Sequence, residues 1–236
     1  MALFLIPTPM GAEDPLQVLP AATIHAVCAV KTFAVEHLPS AVKLLSRIGH
    51  PLPSYAITFL PYSKRSSPQD LMAVMKALEG GDVGLMSEAG APGVADPGAD
   101  LVWMAHQRGI PVEALVGPSA VLMGVMVSGM NGQRFAFNGY LPVKAQERME
   151  QIRYYESHSA KQDQTQLFIE APHRNEELWT ALVGGLQPDT KLGFALGLMR
   201  PDAAVVSKEV ADWRRTPAPV RNGVPAMFML LARGGR

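Results

Sequence analysis

The sequence predicts an α/β protein of two α/β/α domains, residues 1–117 with a mainly parallel sheet and residues 118–236 with a mixed sheet. Three observations carry this expectation. Short apolar runs alternate with longer amphipathic segments through the first half, the pattern of a parallel sheet covered by helices on both faces. The run "VGPS" then breaks a strand at Gly117 and Pro118 and leaves Ser119 where a new helix can be entered. Beyond it, strand candidates follow one another with little helix between, which parallel crossovers do not allow.

In chain order, Ala2 to Ile6, Val27 to Val35, Tyr55 to Leu60, Val83 to Ser87 and Val112 to Val116 read as the strands of the first domain. "SAVKLLSRI" and "PQDLMAVMKALEGG" carry apolar residues at spacings of three and four and read as helices, the latter started at Pro68 and stopped at Gly80. "GADLVWMAHQRG" is a further helix. In the second domain "QRFAFNGYL", "QTQLFIE", "KLGFALGL", "AAVVSKE" and "PAMFMLLA" are strand candidates, with "QERMEQIRYYESHSA" and "NEELWTALVGGL" as helices between them. "RRTPAPVRNGVP" reads as a surface loop. The methionine-rich "VLMGVMVSGM" reads as packing, with Ser128 and Gly129 as its exceptions.

The 236 residues are 48% hydrophobic, enough for sizeable cores. Lys plus Arg and Asp plus Glu number 21 each, so no global field draws the chain to polyanions, and a nucleic-acid partner needs a local basic patch. The single cysteine excludes an internal disulfide or a cysteine metal cluster, and Cys28, inside the second strand candidate, reads as a small core residue. No apolar stretch approaches the ~20 residues that span a bilayer. The N-terminal run is short and without a basic leader, so a cytoplasmic soluble protein is expected.

"MSEAGAPGVADPG", residues 86–98, is the candidate site, because it follows the carboxyl end of a strand, where open parallel sheets bind ligands. Gly90, Gly93 and Gly98 permit close backbone approach, while Pro92 and Pro97 stiffen the loop. It is neither a dinucleotide fingerprint nor a Walker loop, which disfavours phosphate binding there. "PTPMG", "GPSA" and "EAPHR" are small-residue loops at other strand ends. Glu88 and Asp96 have no histidine at ligand spacing, so no metal is expected. His173 and Arg174 form either a catalytic pair or a helix entry. Lys43 and Arg47 share a helix face and read as solvated; Arg214, Arg215 and Arg221 cluster late and are candidates to touch phosphate.

In this order, "PTPMG", "GDVGLMSEAGAPGVADPG", "GIPVEALVGPSA", "SG" at Ser128, "RFAFNGYLP" and "EAPHR" resemble the tetrapyrrole methylase superfamily of S-adenosylmethionine-dependent methyltransferases. The nearest branch is the methyltransferase I group that 2'-O-methylates a cytidine of small-subunit ribosomal RNA. The resemblance implies two α/β domains, S-adenosylmethionine folded into the cleft between them, and a homodimer. It implies that Pro7 and Gly11 line the cleft and that Ser87, Glu88, Ala89, Gly90 and Asp96 surround the methionine part of the cofactor. Ser119, Ser128, Tyr140, Leu141, Ala171 and Pro172 would meet the adenosyl half. Such a zwitterionic ligand suits bare backbone and needs no cationic cradle. Gly90→Val is therefore expected to abolish cofactor binding with little loss of fold.

One segment departs from the branch. Where it typically carries "EDTR", this chain keeps Glu36 and continues with His37, Leu38 and Pro39. The acceptor is then a ribosomal RNA in the small subunit, or a tetrapyrrole or other small molecule, and a cofactor-binding protein without turnover is the third reading. For transfer to a hydroxyl, Glu36, Glu88 and His173 are the candidate bases.

Overall fold

Strands of three or four residues build the N-terminal sheet of the computed structural model, which describes residues 1–11 and 14–234. They are β1 (Leu3–Ile6), β2 (Thr32–Val35), β3 (Thr58–Pro61), β4 (Val83–Met86) and β5 (Val112–Ala114), ordered β3-β2-β4-β1-β5 and parallel throughout. Alternation along each strand sends side chains to opposite faces. Ile6, Phe33, Val35 and Met86 pack with Val27 of α2 (Ala21–Ala29) and with Leu44 and Leu45 of α3 (Leu38–Arg47). Leu3, Ala34, Val83 and Leu85 face the other way, onto Met75 and Leu78 of α4 (Pro68–Gly80) and Leu101 of α5 (Ala99–Gln107). Both faces of the sheet are covered, as expected.

Helix ends follow local chemistry. Before α4, Ser67 Oγ accepts from the Asp70 N–H at 3.2 Å while Asp70 Oδ2 accepts from the Ser67 N–H at 2.7 Å, a reciprocal cap with Pro68 at the first helical position. Two expectations fail here. Residues 21–29 form a helix where a strand running from Val27 was expected, so Cys28 lies half-buried on a helix, its Sγ 4.0 Å from the Gly49 carbonyl, and burial raises its pKa. Thr23 and Val27, four apart, are the residues this helix buries, and the strand begins only at Thr32. A short helix α1 (Pro15–Val18) was not foreseen, and a 3-10 turn at Ser54–Ala56 shortens the third strand.

Met1–Ser119 and Ala120–Arg236 are two compact units. The second unit opens with α6 (Ala120–Ser128) and continues through β6 (Phe135–Tyr140), α7 (Ala145–Gln162), β7 (Thr165–Glu170), α8 (Asn175–Gly185), β8 (Lys191–Leu196), β9 (Ala204–Glu209), α9 (Val210–Trp213) and β10 (Ala226–Leu231). Its sheet is β6-β7-β10-β8-β9, with β6 and β7 parallel and the remaining pairs antiparallel. Phe168, Phe194 and Phe228 pack on one face with Leu178 and Trp179 of α8 and with Trp213, whose Nε1 donates to the Leu192 carbonyl at 2.7 Å. Met227 and Met229 meet α6 on the other face, where a Cβ on Gly124 would lie 2.4 Å from Met227 Sδ. Among the described residues no helix is long and apolar enough to cross a membrane.

Candidate functional site

The parallel register ends β1, β2 and β4 on one row, Ile6, Val35 and Met86, so the loops that follow leave the same edge of the sheet. Glu36 continues the row, its N–H donating to the Met86 carbonyl at 3.4 Å. The loops after β1 and β4 are tied by a reciprocal pair: the Thr8 N–H donates to the Gly90 carbonyl at 2.9 Å and the Gly90 N–H to the Thr8 carbonyl at 3.0 Å. Thr8 Oγ1, buried, donates to the Ser87 carbonyl at 3.3 Å. The first loop is also drawn against the one after β5, where a Cβ on Gly117 would fall 2.3 Å from Pro7 Cγ.

Residues 88–98 fold back through left-handed backbone at Gly90 (φ 80°), Gly93 (φ 79°) and Ala95 (φ 65°). At alanine that conformation costs about 1–2 kcal/mol, and Lys64 Nζ fixes it by donating to the Ala95 carbonyl at 2.9 Å. A Cβ on Gly90, which is buried, would lie 3.8 Å from Met10 Sδ, an ordinary van der Waals contact. The expectation that Gly90→Val spares the fold needs correction. A β-branched residue at this φ is strained whatever room its side chain finds.

Three carboxylates gather at these loops. Glu36 is held above the usual carboxylate range, first by partial burial and then by the negative charges of Asp96 and Glu88, against the opposing pull of the Glu88 N–H and Lys64. Asp96 is raised chiefly by burial; the nearby Ser87 hydroxyl and the Lys64 cation draw it back. Glu88 itself is exposed. Among the described residues, no group of three or more His, Cys, Asp or Glu has the arrangement to hold a metal ion. What the loops offer is a half-dry concentration of negative charge, suited to a cationic ligand atom.

A cavity of about 170 Å³ opens beside them. Thr8, Pro9 and Gly11 of the first loop line it together with Glu36, Ser87 and Glu88. Its remaining wall was not foreseen: His37, Ser40, Lys43, Leu44 and Arg47 present one face of α3 to the same space. The spacing of Ser40, Lys43, Leu44 and Arg47 is the helical signal that identifies this face in the sequence.

The N-terminal unit thus brings together Pro7, Gly11, Glu36, Ser87, Glu88, Ala89, Gly90 and Asp96, while Ser119 stands at its last residue. In the C-terminal unit Tyr140 ends β6 and Leu141 follows it, while Ala171, Pro172 and His173 follow its parallel neighbour β7. A bulge at Gly139 (φ 66°) leaves Tyr140 56% exposed and turns Leu141 inward. Ser128 is buried, its hydroxyl donating to the Val125 carbonyl at 2.8 Å and accepting from the Met130 N–H at 3.0 Å as α6 ends.

Arg174 is no partner for the exposed His173. It donates through Nε to Glu170 Oε1 at 3.1 Å, and the fully buried Glu170 also accepts from the Ala171 N–H at 2.7 Å, which fixes the turn. The late arginines are engaged as well. Arg214 donates to the Val183 and Leu186 carbonyls at the end of α8, Arg221 pairs with Asp202, and the exposed Arg215 lies 3.9 Å from Asp212.

No family model matches the chain. A Vibrio cholerae protein named ribosomal RNA small subunit methyltransferase I is 31% identical over 234 residues, which are 99% of this chain and 77% of the relative. Its namesake in Xylella fastidiosa is 32% identical over 183 residues, 76% of this chain and 62% of its own length. Among solved structures, the methyltransferase CobJ superposes with a TM-score of 0.62 at 16% identity, over 98% of this chain and 99% of that one. A uroporphyrin-III C-methyl transferase from Thermus thermophilus, complexed with S-adenyl homocysteine, reaches 0.59 at 16% identity, over 98% and 97%. These structures share the two-sheet α/β fold described above.

Proposed function

The chain belongs to the family of ribosomal RNA small subunit methyltransferase I and is a methyltransferase; from that premise we propose that it moves a methyl group from S-adenosylmethionine to a ribose 2'-hydroxyl of small-subunit ribosomal RNA. In this reading Pro7, Gly11, Ser87, Glu88, Ala89, Gly90 and Asp96 receive the methionine part of the cofactor. Ser119, with Ser128, Tyr140, Leu141, Ala171 and Pro172 of the C-terminal unit, receives the adenosyl half. The observation that carries the reading is the Thr8–Gly90 pair, which holds the loops after β1 and β4 together beside Glu36, Glu88 and Asp96.

When bound, S-adenosylmethionine supplies an electrophilic methyl on a sulfonium that already carries positive charge. The chain's part is to align the hydroxyl, exclude water and take its proton. Glu36 is the base we assign, because its raised pKa makes it a better proton acceptor than an ordinary surface carboxylate. The exposed Glu88 and His173 are left with contacts to cofactor or acceptor. A homodimer working in the cytoplasm, without a metal, completes the proposal.

Calorimetric titration with S-adenosylmethionine, followed by labelled-methyl transfer to isolated small ribosomal subunits, tests it. Saturable binding with label in the ribosomal RNA is expected. Binding with label only in a tetrapyrrole would replace the acceptor, and binding without any transfer would replace the enzyme by a cofactor-binding protein.

A further inference from the structure

The cavity next to Glu36 is electrically two-sided. Glu36 and Glu88 stand on the loop side, and Lys43 and Arg47 on the α3 side. The α3 wall is held in place from behind, since Leu45 and Ile48 are buried in the core beneath it. Lys43 has no carboxylate partner among the described residues, and Arg47 keeps an ion pair with Asp14 at 3.6 Å in which both side chains stay solvent-exposed. This contrasts with Arg174, Arg214 and Arg221, which are taken up by Glu170, backbone carbonyls and Asp202. At the start of the same face, His37 Nδ1 and Ser40 Oγ are hydrogen-bonded at 2.8 Å, which orients a hydroxyl into the wall.

We propose that Ser40, Lys43 and Arg47 form a phosphate-binding subsite for the methyl acceptor, holding a phosphodiester of an RNA strand whose ribose hydroxyl faces Glu36. A neutral hydroxyl flanked by its own phosphate matches a cavity with acid on one side and cations on the other. A chain of zero net charge has no global field to hold RNA, so the affinity must come from local contacts of this kind. Phosphate contacts fix register without reading sequence, which is the task of a subsite beside a reacting sugar. The inference rests on the ribosomal RNA reading above.

The test uses the full chain, the Lys43→Ala/Arg47→Ala double variant, Lys43→Glu, and Lys76→Ala on an exposed face of α4 as a control. Each is titrated with a fluorescent single-stranded oligoribonucleotide at several salt concentrations, and separately with S-adenosylmethionine. The double variant should bind the oligoribonucleotide about tenfold more weakly, with the logarithmic salt slope reduced by about 0.7 per cation removed. Its affinity for S-adenosylmethionine should equal that of the wild type, which also shows that the fold is intact. In methyl transfer, KM for small ribosomal subunits should rise more than kcat falls, most strongly in Lys43→Glu.

Unchanged oligoribonucleotide affinity and salt slope in the double variant, with the wild type still methylating subunits, would overturn the subsite and leave the activity standing. Loss of S-adenosylmethionine affinity in a variant with a normal melting curve would reassign the wall to the cofactor and overturn it too. A wild type that neither binds the oligoribonucleotide nor methylates subunits would overturn the ribosomal RNA reading itself, and the subsite with it.

Discussion

Glu36 and Asp96 are each placed where their charge is unwelcome, and the sign of that effect sets a measurable trade. Both carboxyls titrate above their ordinary range in the folded chain, through burial and neighbouring negative charge. A carboxylate raised on folding supports the fold below its unfolded pKa, and that support is lost as pH rises through the folded pKa. At neutral pH an ionised Glu36 therefore works against stability while serving as the proton acceptor. Glu36→Gln is expected to raise the melting temperature at pH 7 in the absence of ligand, and to lower kcat by about 10²–10⁴. It should also remove the acid limb of the pH profile, along which wild-type transfer falls as Glu36 is protonated. A variant that melts lower and keeps its acid limb would take the base role away from this residue. Little of this was legible in the chain: Glu36 was found by resemblance, and its shift depends first on burial and then on Asp96, sixty positions away along the sequence, coming close in space.

At the scale of elements, legibility followed contrast between faces. α3 and α4 each have a wet side and a dry side, and their spacing was readable. α2 is apolar on nearly every side, so its run has no period to distinguish it from a buried strand, and it was misread. The short strands were found because both faces of a covered parallel sheet are apolar, but close packing inside the sheet left no mark. Gly84 in β4 is the case in point. A Cβ there would fall 2.4 Å from Ile6 Cδ1 and 2.8 Å from a ring carbon of Phe33, both buried. Gly84→Ala is expected to destabilise the N-terminal unit by about 1–3 kcal/mol, measured by urea unfolding. An unchanged midpoint would mean that Ile6 and Phe33 can repack, and that the end of β1 is looser than its burial implies.

For the whole molecule, neutrality was the most direct reading of the composition, and it excluded a general attraction to RNA. It could not reveal where cations collect, because Lys43 and Arg47 matter only once α3 turns them onto the cavity. Ligand linkage gives a global readout of the proposed cofactor. At a free S-adenosylmethionine concentration one hundred times its Kd, the folded chain should gain about 2.7 kcal/mol, seen as a rise in melting temperature that grows with the logarithm of concentration. A melting curve indifferent to S-adenosylmethionine would remove the cofactor from the reading. The Thr8–Gly90 pair bears on the form of that response. Because two backbone amides already clasp the loops after β1 and β4, these segments surrender their freedom during folding. An arriving ligand has less disorder left to quench, and molecules of the wrong outline meet a mouth that does not remould itself around them.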